Sequence, residues 1–301
     1  MVQIDMKFPW HKYEEIKANR SNTLQMFITS ICTMKCKGCF ARNIMGTEVE
    51  TITVKEYIEA INTLLMKGGE KVNLLGGEPT LHPGLKKLIH INRDRGLKTT
   101  MYTNGGYMAG WDKNYIRECF EDVTVRLSVY SRSGPVKSLK SIKEFGERGV
   151  PLNLEICFMV SADTTAEELL LTAMEVERDF DCKVFFISSI RELDNPRQEF
   201  FDDTSYTMPV MKYKELVHTF LKDYEGDMEI HISKRGVFES TIAIAERKCR
   251  FANYIIGGQI VQCPYDLVNL KFQDDYEFGK RNCQHNNSCL MSKVIYKRKE
   301  E

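Results

Sequence analysis

Short apolar segments alternate along this chain with longer segments in which apolar residues recur every three or four positions. The short segments have the length of buried strands, and the longer ones have the period of amphipathic helices. Strands are predicted at 23–30, 71–79, 97–106, 123–131, 151–161 and 182–190. Helices are predicted at 53–69, 82–96, 112–122, 136–149 and 165–180. This alternation predicts right-handed crossovers and a parallel sheet.

The two faces of the predicted strands differ in polarity. In the strand at 123–131, apolar residues share one face, whereas Arg126 and Ser128 share the other. The strand at 151–161 alternates in the same way, with Cys157 on its polar face. A doubly wound sheet buries both faces and favours continuous apolar strands. The pattern therefore predicts an α/β protein with a partial (β/α)6 TIM-like barrel and a polar interior, and an open sheet with one solvated face is the alternative.

The pattern changes after residue 190. Segment 191–208 has no clear period and is predicted to be a loop or lid, whereas a helix is expected at 210–226 and a strand at 228–233. Short strand-like pieces with cysteines and glycines follow. We predict an N-terminal extension at 1–22, a barrel at 23–208 and a small C-terminal α+β extension at 209–301.

The charge balance narrows the choice of partners. Lys and Arg number 42, and Asp and Glu also number 42, so the formal net charge is zero. A neutral chain gives no electrostatic reason to expect nucleic acid or an anionic membrane as a partner. The basic segment at 293–301 is expected to be a solvated terminus. The opening segment does not resemble a signal peptide, and no window approaches the roughly 20 apolar residues of a membrane span, so we expect a cytoplasmic protein.

Three of the ten cysteines lie within eight positions, in the sequence CTMKCKGCF at 32–40. A reducing cytosol disfavours disulfides, so clustered cysteines indicate metal or redox chemistry. Three thiolates can hold three irons of a [4Fe–4S] cluster and leave the fourth iron for another ligand. From this loop alone, part of a zinc site is the alternative.

A second motif, LLGGEPTLHP at 74–83, ends the next predicted strand. Gly76 and Gly77 let the backbone approach a ligand closely, and Glu78 adds a carboxylate. The carboxyl ends of parallel strands meet at one edge of a sheet, where barrel active sites lie. We therefore expect this turn to lie beside the cysteine loop.

The CxxxCxxC loop followed by a GGEP turn resembles the signature of the radical S-adenosylmethionine (SAM) superfamily, over about residues 23–190. The resemblance implies a [4Fe–4S] cluster with SAM on its fourth iron, and an electron donor such as flavodoxin or ferredoxin. The implied cluster ligands are Cys32, Cys36 and Cys39. The implied contacts of the SAM amino group are Gly76, Gly77 and Glu78.

The resemblance also implies that later strand ends contact the ribose and carboxylate of SAM. The matching candidates are Thr103, Asn104, Ser128, Ser188 and Arg191. One position departs from the pattern, because many members carry an aromatic residue directly before the third cysteine. Gly38 stands there in this chain and Phe40 follows the cysteine, so the ring that packs on adenine is left open.

Four further cysteines follow in the C-terminal extension: Cys249, Cys263, Cys283 and Cys289. Segment 249–263 contains a glycine pair and is predicted to be a β-hairpin with a cysteine near each end. With Gly258 in its turn, this arrangement resembles the twitch and SPASM extensions, which bind auxiliary iron–sulfur clusters. Four cysteines suffice for one second [4Fe–4S] cluster. A zinc knuckle or unrelated buried thiols are the alternative.

Two chemistries fit such an enzyme, which would cleave SAM to a 5′-deoxyadenosyl radical and abstract hydrogen from its substrate. In an oxidation, such as dehydrogenation or cross-linking, the auxiliary cluster takes the substrate electron. In a redox-neutral epimerisation of a peptide or sugar, a thiol returns hydrogen, and Cys157 and Cys249 are the candidate catalytic donors. The substrate is expected to be a small molecule or a short peptide. A non-catalytic zinc or iron–sulfur binding protein is the alternative of another class.

Overall fold

The structure is a computed structural model of the 301-residue chain. It describes residues 11–17, 21–36, 39, 41, 48–108, 111–130, 153–180, 182–190, 207–235, 237–238, 248–261, 272–273, 275–280 and 293–300. Several predicted features lie outside the described residues: the helix at 136–149, segment 191–206 with Arg191, Gly38, Phe40, Cys263, Cys283 and Cys289.

In the described part of the chain, twelve strands form one sheet. Their bounds are β1 Tyr13–Ile16, β2 Thr23–Phe27, β3 Lys71–Leu75, β4 Lys98–Thr103, β5 Val123–Tyr130, β6 Asn153–Val160, β7 Val184–Ser189, β8 Glu229–Ser233, β9 Phe251–Ile255, β10 Gln259–Val261, β11 Phe272–Gln273 and β12 Lys293–Arg298.

The central strands are parallel. The order is β1-β12-β8-β7-β6-β5-β4-β3-β2-β9-β10-β11, and each neighbouring pair from β8 to β9 is parallel. The six predicted strands correspond to β2 through β7, which confirms the α/β class with a mainly parallel sheet. Strands β8 and β9 add one parallel strand on either side, so the sheet continues beyond residue 208.

The chain ends meet at one margin of this sheet. Strand β1 pairs antiparallel with β12, and β12 pairs antiparallel with β8. Tyr13 donates a hydrogen bond to the carbonyl of Tyr224, 2.9 Å away, and Lys12 forms an ion pair with Glu225. The expectation of a solvated terminus at 293–301 is therefore wrong for 293–298, because Val294 and Tyr296 are buried.

The described helices of at least eight residues are α1 Val54–Met66, α2 Leu85–Asp94, α3 Lys113–Phe120, α4 Ala166–Phe180 and α5 Val210–Asp223. Helix α1 begins as its sequence predicts, because the Thr53 hydroxyl accepts a hydrogen bond from the Glu56 N–H at 3.1 Å. Gly68 ends this segment with a φ of +72°, which glycine adopts without steric cost. None of the helices in the described ranges is long and apolar enough to cross a bilayer.

Helices cover one face of the sheet and leave the other polar. Val125 and Leu127 belong to the main apolar core, together with helical residues such as Ile116 and Ala173. The opposite face, here called the inner face, carries Tyr102, Arg126, Glu155, Cys157 and Phe186, which adjacent strands bring together by their register. The difference in polarity between the two faces agrees with the sequence pattern.

Candidate active site

The three-cysteine loop follows β2 directly at the carboxyl edge of the parallel strands. Cys32, Cys36 and Cys39 are all partly exposed. The Met34 N–H donates a hydrogen bond to the Cys32 sulfur at 3.4 Å, which turns the loop back on itself. Cys39 packs against an inner-face apolar cluster that contains Phe27 and Leu75. The loop therefore has an apolar floor at Cys39, which keeps water from that side of its thiol.

Tyr130, the last residue of β5, connects this loop with the inner face. Its hydroxyl forms a hydrogen bond with Cys36. Burial raises the pKa of Tyr130 well above its usual value, and the neighbouring sulfurs of Cys36 and Cys39 add to the rise. Cys157 on β6 also acts electrostatically on Tyr130. The cysteine loop thus lies close to the end of β5 as well as that of β2.

The glycine turn packs on the chain that leads into Cys32. The Gly77 N–H donates to the Thr29 carbonyl at 2.6 Å, and the Glu78 N–H donates to the Ile31 carbonyl at 2.7 Å. A Cβ atom on Gly76 would lie 2.3 Å from the Thr29 carbonyl oxygen, and one on Gly77 would lie 2.3 Å from that of Ile31. The expected close approach to a ligand is thus accompanied by an equally close approach between two backbone segments, which requires glycine at both positions.

Glu78 joins the ends of β3 and β4. Its Oε1 accepts hydrogen bonds from the Thr80 N–H at 3.0 Å, the Thr80 hydroxyl at 2.6 Å and the Thr103 hydroxyl at 2.7 Å. Its Oε2 accepts one from the Asn104 N–H at 2.8 Å. The residue is only 1% exposed. Burial raises the pKa of Glu78, and these hydrogen bonds oppose the rise because they stabilise the carboxylate.

Asn104 completes the connection to the cysteine loop. Its side-chain amide lies 4.0 Å from the Cys32 sulfur, within the distance of a weak N–H···S hydrogen bond. The structure therefore brings together the cysteine loop, the turn at 76–78 and the β4 end at 103–104, as the sequence predicts. Each segment contacts the next through named hydrogen bonds.

Two further candidates lie on the inner face. Ser128 pairs in register with Cys157, and the Cys157 thiol donates a hydrogen bond to the Ser188 hydroxyl at 3.2 Å. Cys157 is 7% exposed. Ser188 and Cys157 therefore form one group, close to Tyr130 and to the cysteine loop.

Cys249 lies elsewhere. It precedes β9, and Phe251 at the start of β9 pairs with Thr23 at the start of β2. Because β9 and β2 are parallel, Cys249 lies at the amino edge of the sheet, whereas Cys32 lies at the carboxyl edge. The length of β2 alone separates these edges by about 13 Å, at about 3.3 Å per residue. The structure does not place Cys249 beside Cys157.

The predicted hairpin after Cys249 is present in its described part. Strands β9 and β10 pair antiparallel, with Ile255 opposite Gln259. Gly257 and Gly258 form the turn with φ values of +87° and +81°. These left-handed backbone angles favour glycine. The role of Cys249 as an iron ligand stays a prediction, because its three proposed partners lie outside the described residues.

Sequence reasoning missed a charged cluster on the inner face. Arg126 donates from Nε to Glu155 at 2.7 Å and from Nη1 to the Tyr102 hydroxyl. Its guanidinium carbon lies 4.0 Å from the centroid of the Phe186 ring, and the Lys293 ammonium nitrogen lies 3.6 Å from the same centroid. The polar phase of β5 indicated Arg126, but the position of Lys293 depends on the pairing of β12 with β8.

The three thiols of the loop are of the type and number that a cluster with one open iron takes from a protein. Within the described ranges, no three His, Cys, Asp or Glu side chains converge on a point that could hold one ion. A cubane cluster binds each thiolate through a different iron, so its ligands surround it without converging. Cys32, Cys36 and Cys39, which are all partly exposed, are a donor set of this kind.

Comparisons of sequence support this interpretation. Residues 26–131 match the sequence model of the Radical SAM superfamily. An S-adenosylmethionine-dependent nucleotide dehydratase of Thermoplasmatales archaeon (strain ISO4-H5) is 27% identical over 92 residues, which are 31% of this chain and 32% of that protein. A GTP 3′,8-cyclase of Chlorobaculum tepidum is 29% identical over 86 residues, which are 28% of this chain and 26% of that protein. The matched segments thus span about a third or less of these relatives.

Comparisons of structure support the fold over more of the chain. The crystal structure of Streptococcus suis SuiB bound to S-adenosylmethionine aligns with a TM-score of 0.66 at 18% identity, covering 84% of this chain and 63% of that one. The structure of anSMEcpe with bound AdoMet aligns with a TM-score of 0.57 at 15% identity, covering 81% of this chain and 74% of that one. At such identities the likeness shows the fold alone.

Proposed function

We propose that this chain, whose residues 26–131 match the sequence model of the Radical SAM superfamily, is an enzyme in which Cys32, Cys36 and Cys39 bind a [4Fe–4S] cluster. Glu78, Thr103 and Asn104 then form one side of the SAM site. When bound, the reduced cluster and SAM supply a primary carbon radical that abstracts hydrogen from a substrate.

One observation carries this proposal. The hydrogen bonds from Thr103 and Asn104 to Glu78, and the contact of Asn104 with Cys32, join three motifs from distant parts of the sequence at one sheet edge. A structural zinc site would need no such carboxylate beside its ligands, so this network argues against a non-catalytic metal-binding protein. The chain's own contribution is to fix these groups and to keep water from the apolar floor at Cys39.

The remaining oxygen capacity of Glu78 suggests how it helps to bind SAM. Among the described residues, Oε2 accepts a hydrogen bond from the Asn104 N–H alone, so it can accept another donor such as an ammonium group. The other oxygen already accepts three hydrogen bonds. The main role of Glu78 is therefore to hold the turn in place, and its Oε2 can in addition accept one hydrogen bond from SAM.

For the net reaction we propose an oxidation supported by a second [4Fe–4S] cluster on Cys249, Cys263, Cys283 and Cys289. The position of Cys249 at the amino edge supports this proposal. An electron from a substrate on the inner face would pass along that face to a cluster at this edge. The predicted C-terminal extension at 209–301 would hold it.

Redox-neutral epimerisation is the second candidate, because the Cys157 thiol lies on the inner face beside Tyr130 and Ser188. In that reaction Cys157, rather than Cys249, would return hydrogen, since Cys249 lies at the opposite edge. An isotope experiment separates the two reactions. Product formed in deuterated water carries solvent deuterium at the reacting carbon if an exchangeable thiol returns the hydrogen, and carries none if the substrate is oxidised.

The substrate class follows from the relatives only as a proposal. Nucleotides appear in the names of the relatives with similar sequences, and SuiB, which shares the fold, has been solved with its precursor peptide SuiA at a TM-score of 0.64. We propose a small molecule or a short peptide, with flavodoxin or ferredoxin as electron donor.

The test of function begins with anaerobically purified protein. We expect the reduced wild-type protein to form 5′-deoxyadenosine from SAM, and Cys36→Ala to form none. Cys182→Ala is the matched control, because Cys182 is buried and hydrogen-bonds only backbone carbonyls in the described structure.

The double variant Cys283→Ala/Cys289→Ala should lose about half of the iron and keep SAM cleavage. An unchanged rate in Cys36→Ala would refute the proposal, and unchanged iron in the double variant would refute the second cluster.

A further inference from the structure

The charged cluster on the inner face is unbalanced. Lys293 and Arg126 lie within 4.0 Å of one Phe186 ring centroid, so two cations are close neighbours. The charged side chains that act on Lys293 include Arg126 and Lys71, which repel it, and one carboxylate, Glu155, which attracts it. Two cations close together in a partly buried place repel each other strongly because little water screens them.

Glu155, the one carboxylate recorded as acting on Lys293 in the described part of the chain, already pairs with Arg126. Glu155 Oε2 accepts hydrogen bonds from both Nε and Nη2 of Arg126. Across the ranges that the structure describes, no carboxylate oxygen lies within ion-pair distance of the Lys293 ammonium. Lys293 has three N–H donors, whereas its recorded contact there is the face of Phe186.

Arg126 also has donors to spare. A guanidinium carries five N–H groups. Two of them bond Glu155 and one bonds the Tyr102 hydroxyl. Its remaining N–H groups and the Lys293 ammonium are therefore donors that an anionic group beside the Phe186 ring could use.

We propose that Lys293 and Arg126 form a subsite for an oxyanion of the substrate, a phosphate or a carboxylate, on the inner face beside Cys157. The inference rests on the proposed function, because the oxyanion belongs to the molecule on which the radical acts. Cys157 pairs in register with Phe186, so an anion held over that ring fixes its parent molecule next to the thiol. Tyr130 interacts with Cys157 as well as with Cys36 and Cys39, so it connects this subsite with the cysteine loop.

Protonation supports this assignment. Burial and the neighbouring Arg126 lower the pKa of Lys293 to about 7. A bound oxyanion would reverse both effects, since it supplies the missing counter-charge. Lys293 is thus a group whose charge is costly without a ligand and favourable with one.

The test uses the anaerobically purified holoprotein at pH 6.5 and 150 mM salt, with two probes, inorganic tripolyphosphate and triglutamate peptide. Calorimetric titration should show that Lys293→Met binds one probe about tenfold to a hundredfold more weakly than the wild type. Lys293→Arg should keep binding within a few-fold. Lys297→Met is the matched control, because it removes the same charge from the same strand about 13 Å away and should change the affinity by less than about twofold.

The outcomes separate the two sources of the anion. Loss of tripolyphosphate binding assigns a phosphate, and loss of triglutamate binding assigns a carboxylate. The proposal is overturned if neither probe binds, if Lys293→Met binds as the wild type does, or if Lys297→Met loses as much affinity. A melting temperature at or above that of the wild type should show that Lys293→Met is folded. The proposed function fails separately, if wild-type protein forms no 5′-deoxyadenosine.

Discussion

The turn at 76–78 and the cluster around Phe186 both place charge in a buried part of the same sheet, but they satisfy it differently. Glu78 accepts four hydrogen bonds from three residues and is 1% exposed. Lys293 contacts an aromatic face and has no counter-ion among the described residues. A charge that the protein itself satisfies stabilises the scaffold, whereas a charge left for a ligand costs stability until the ligand arrives.

Among the substitutions that test this comparison, Gly77→Ala is expected to have the largest effect. Gly77→Ala would put a Cβ 2.3 Å from the Ile31 carbonyl oxygen, so the turn must move away from the cysteine loop. We expect the free energy of unfolding to fall by about 2–3 kcal/mol and SAM cleavage to be lost. Chemical denaturation and a 5′-deoxyadenosine assay measure the two effects.

Gly68→Ala is the control for Gly77→Ala. Gly68 has a φ of +72° but open space around its Cα, so the substitution should cost only about 1 kcal/mol and leave SAM cleavage unchanged. Gly77 has no left-handed φ, so equal losses in both variants would show that its close contact with the Ile31 carbonyl costs no more than the left-handed φ of Gly68, and would contradict the steric argument.

Glu78→Ala tests the satisfied charge. It leaves the donors of Thr80, Thr103 and Asn104 without their acceptor, so we expect unfolding to become easier by about 2 kcal/mol and SAM affinity to fall as well. The surface variant Glu121→Ala should change neither by a measurable amount. A Glu78→Ala protein that keeps wild-type stability and loses only SAM affinity would make Glu78 a ligand contact without a scaffold role.

Lys293→Met tests the unsatisfied charge through pH. The folded pKa of Lys293, about 7, lies below its ordinary value of 10.5, so between these values the unfolded chain binds more protons and wild-type stability gains from rising pH. The advantage of Lys293→Met should therefore be largest near pH 6 and shrink by up to about 1.4 kcal/mol per pH unit above pH 7. The described titratable groups that face Lys293 are Arg126, Lys71, Glu155, Cys157 and His231 of β8.

Chemical denaturation of the wild type and of Lys293→Met at several pH values measures the difference between their free energies of unfolding. Titrating groups that are the same in both proteins cancel in this difference. Lys297→Met should show no such trend. If the stability difference between the two proteins does not depend on pH, the charge of Lys293 does not lower the stability of the folded protein. Lys293 and Glu78 would then not differ in this respect.

The sequence predicted the site edge well because its signals are local. The alternation of apolar strands and amphipathic helices determines which segments end at the carboxyl edge, and the motifs at 32–39 and 76–78 follow two of those ends. Thr103 and Asn104 were candidates by the resemblance alone, and their contact with SAM stays a prediction. Burial of Glu78 could not be predicted, because two of its four hydrogen bonds come from Thr103 and Asn104 at the end of the next strand along the sheet.

The sequence by itself determined strands β2 to β8, the hairpin of β9 and β10, helices α1 to α5 and the edge at which the cysteine loop meets the glycine turn, since each depends on neighbouring residues. Only the tertiary structure decided that β9 runs parallel to β2, which places Cys249 at the opposite edge, and that β12 pairs with β8, which directs Lys293 to Phe186. Pairing between strands distant in sequence depends on packing and register across the whole sheet, and no local period encodes it.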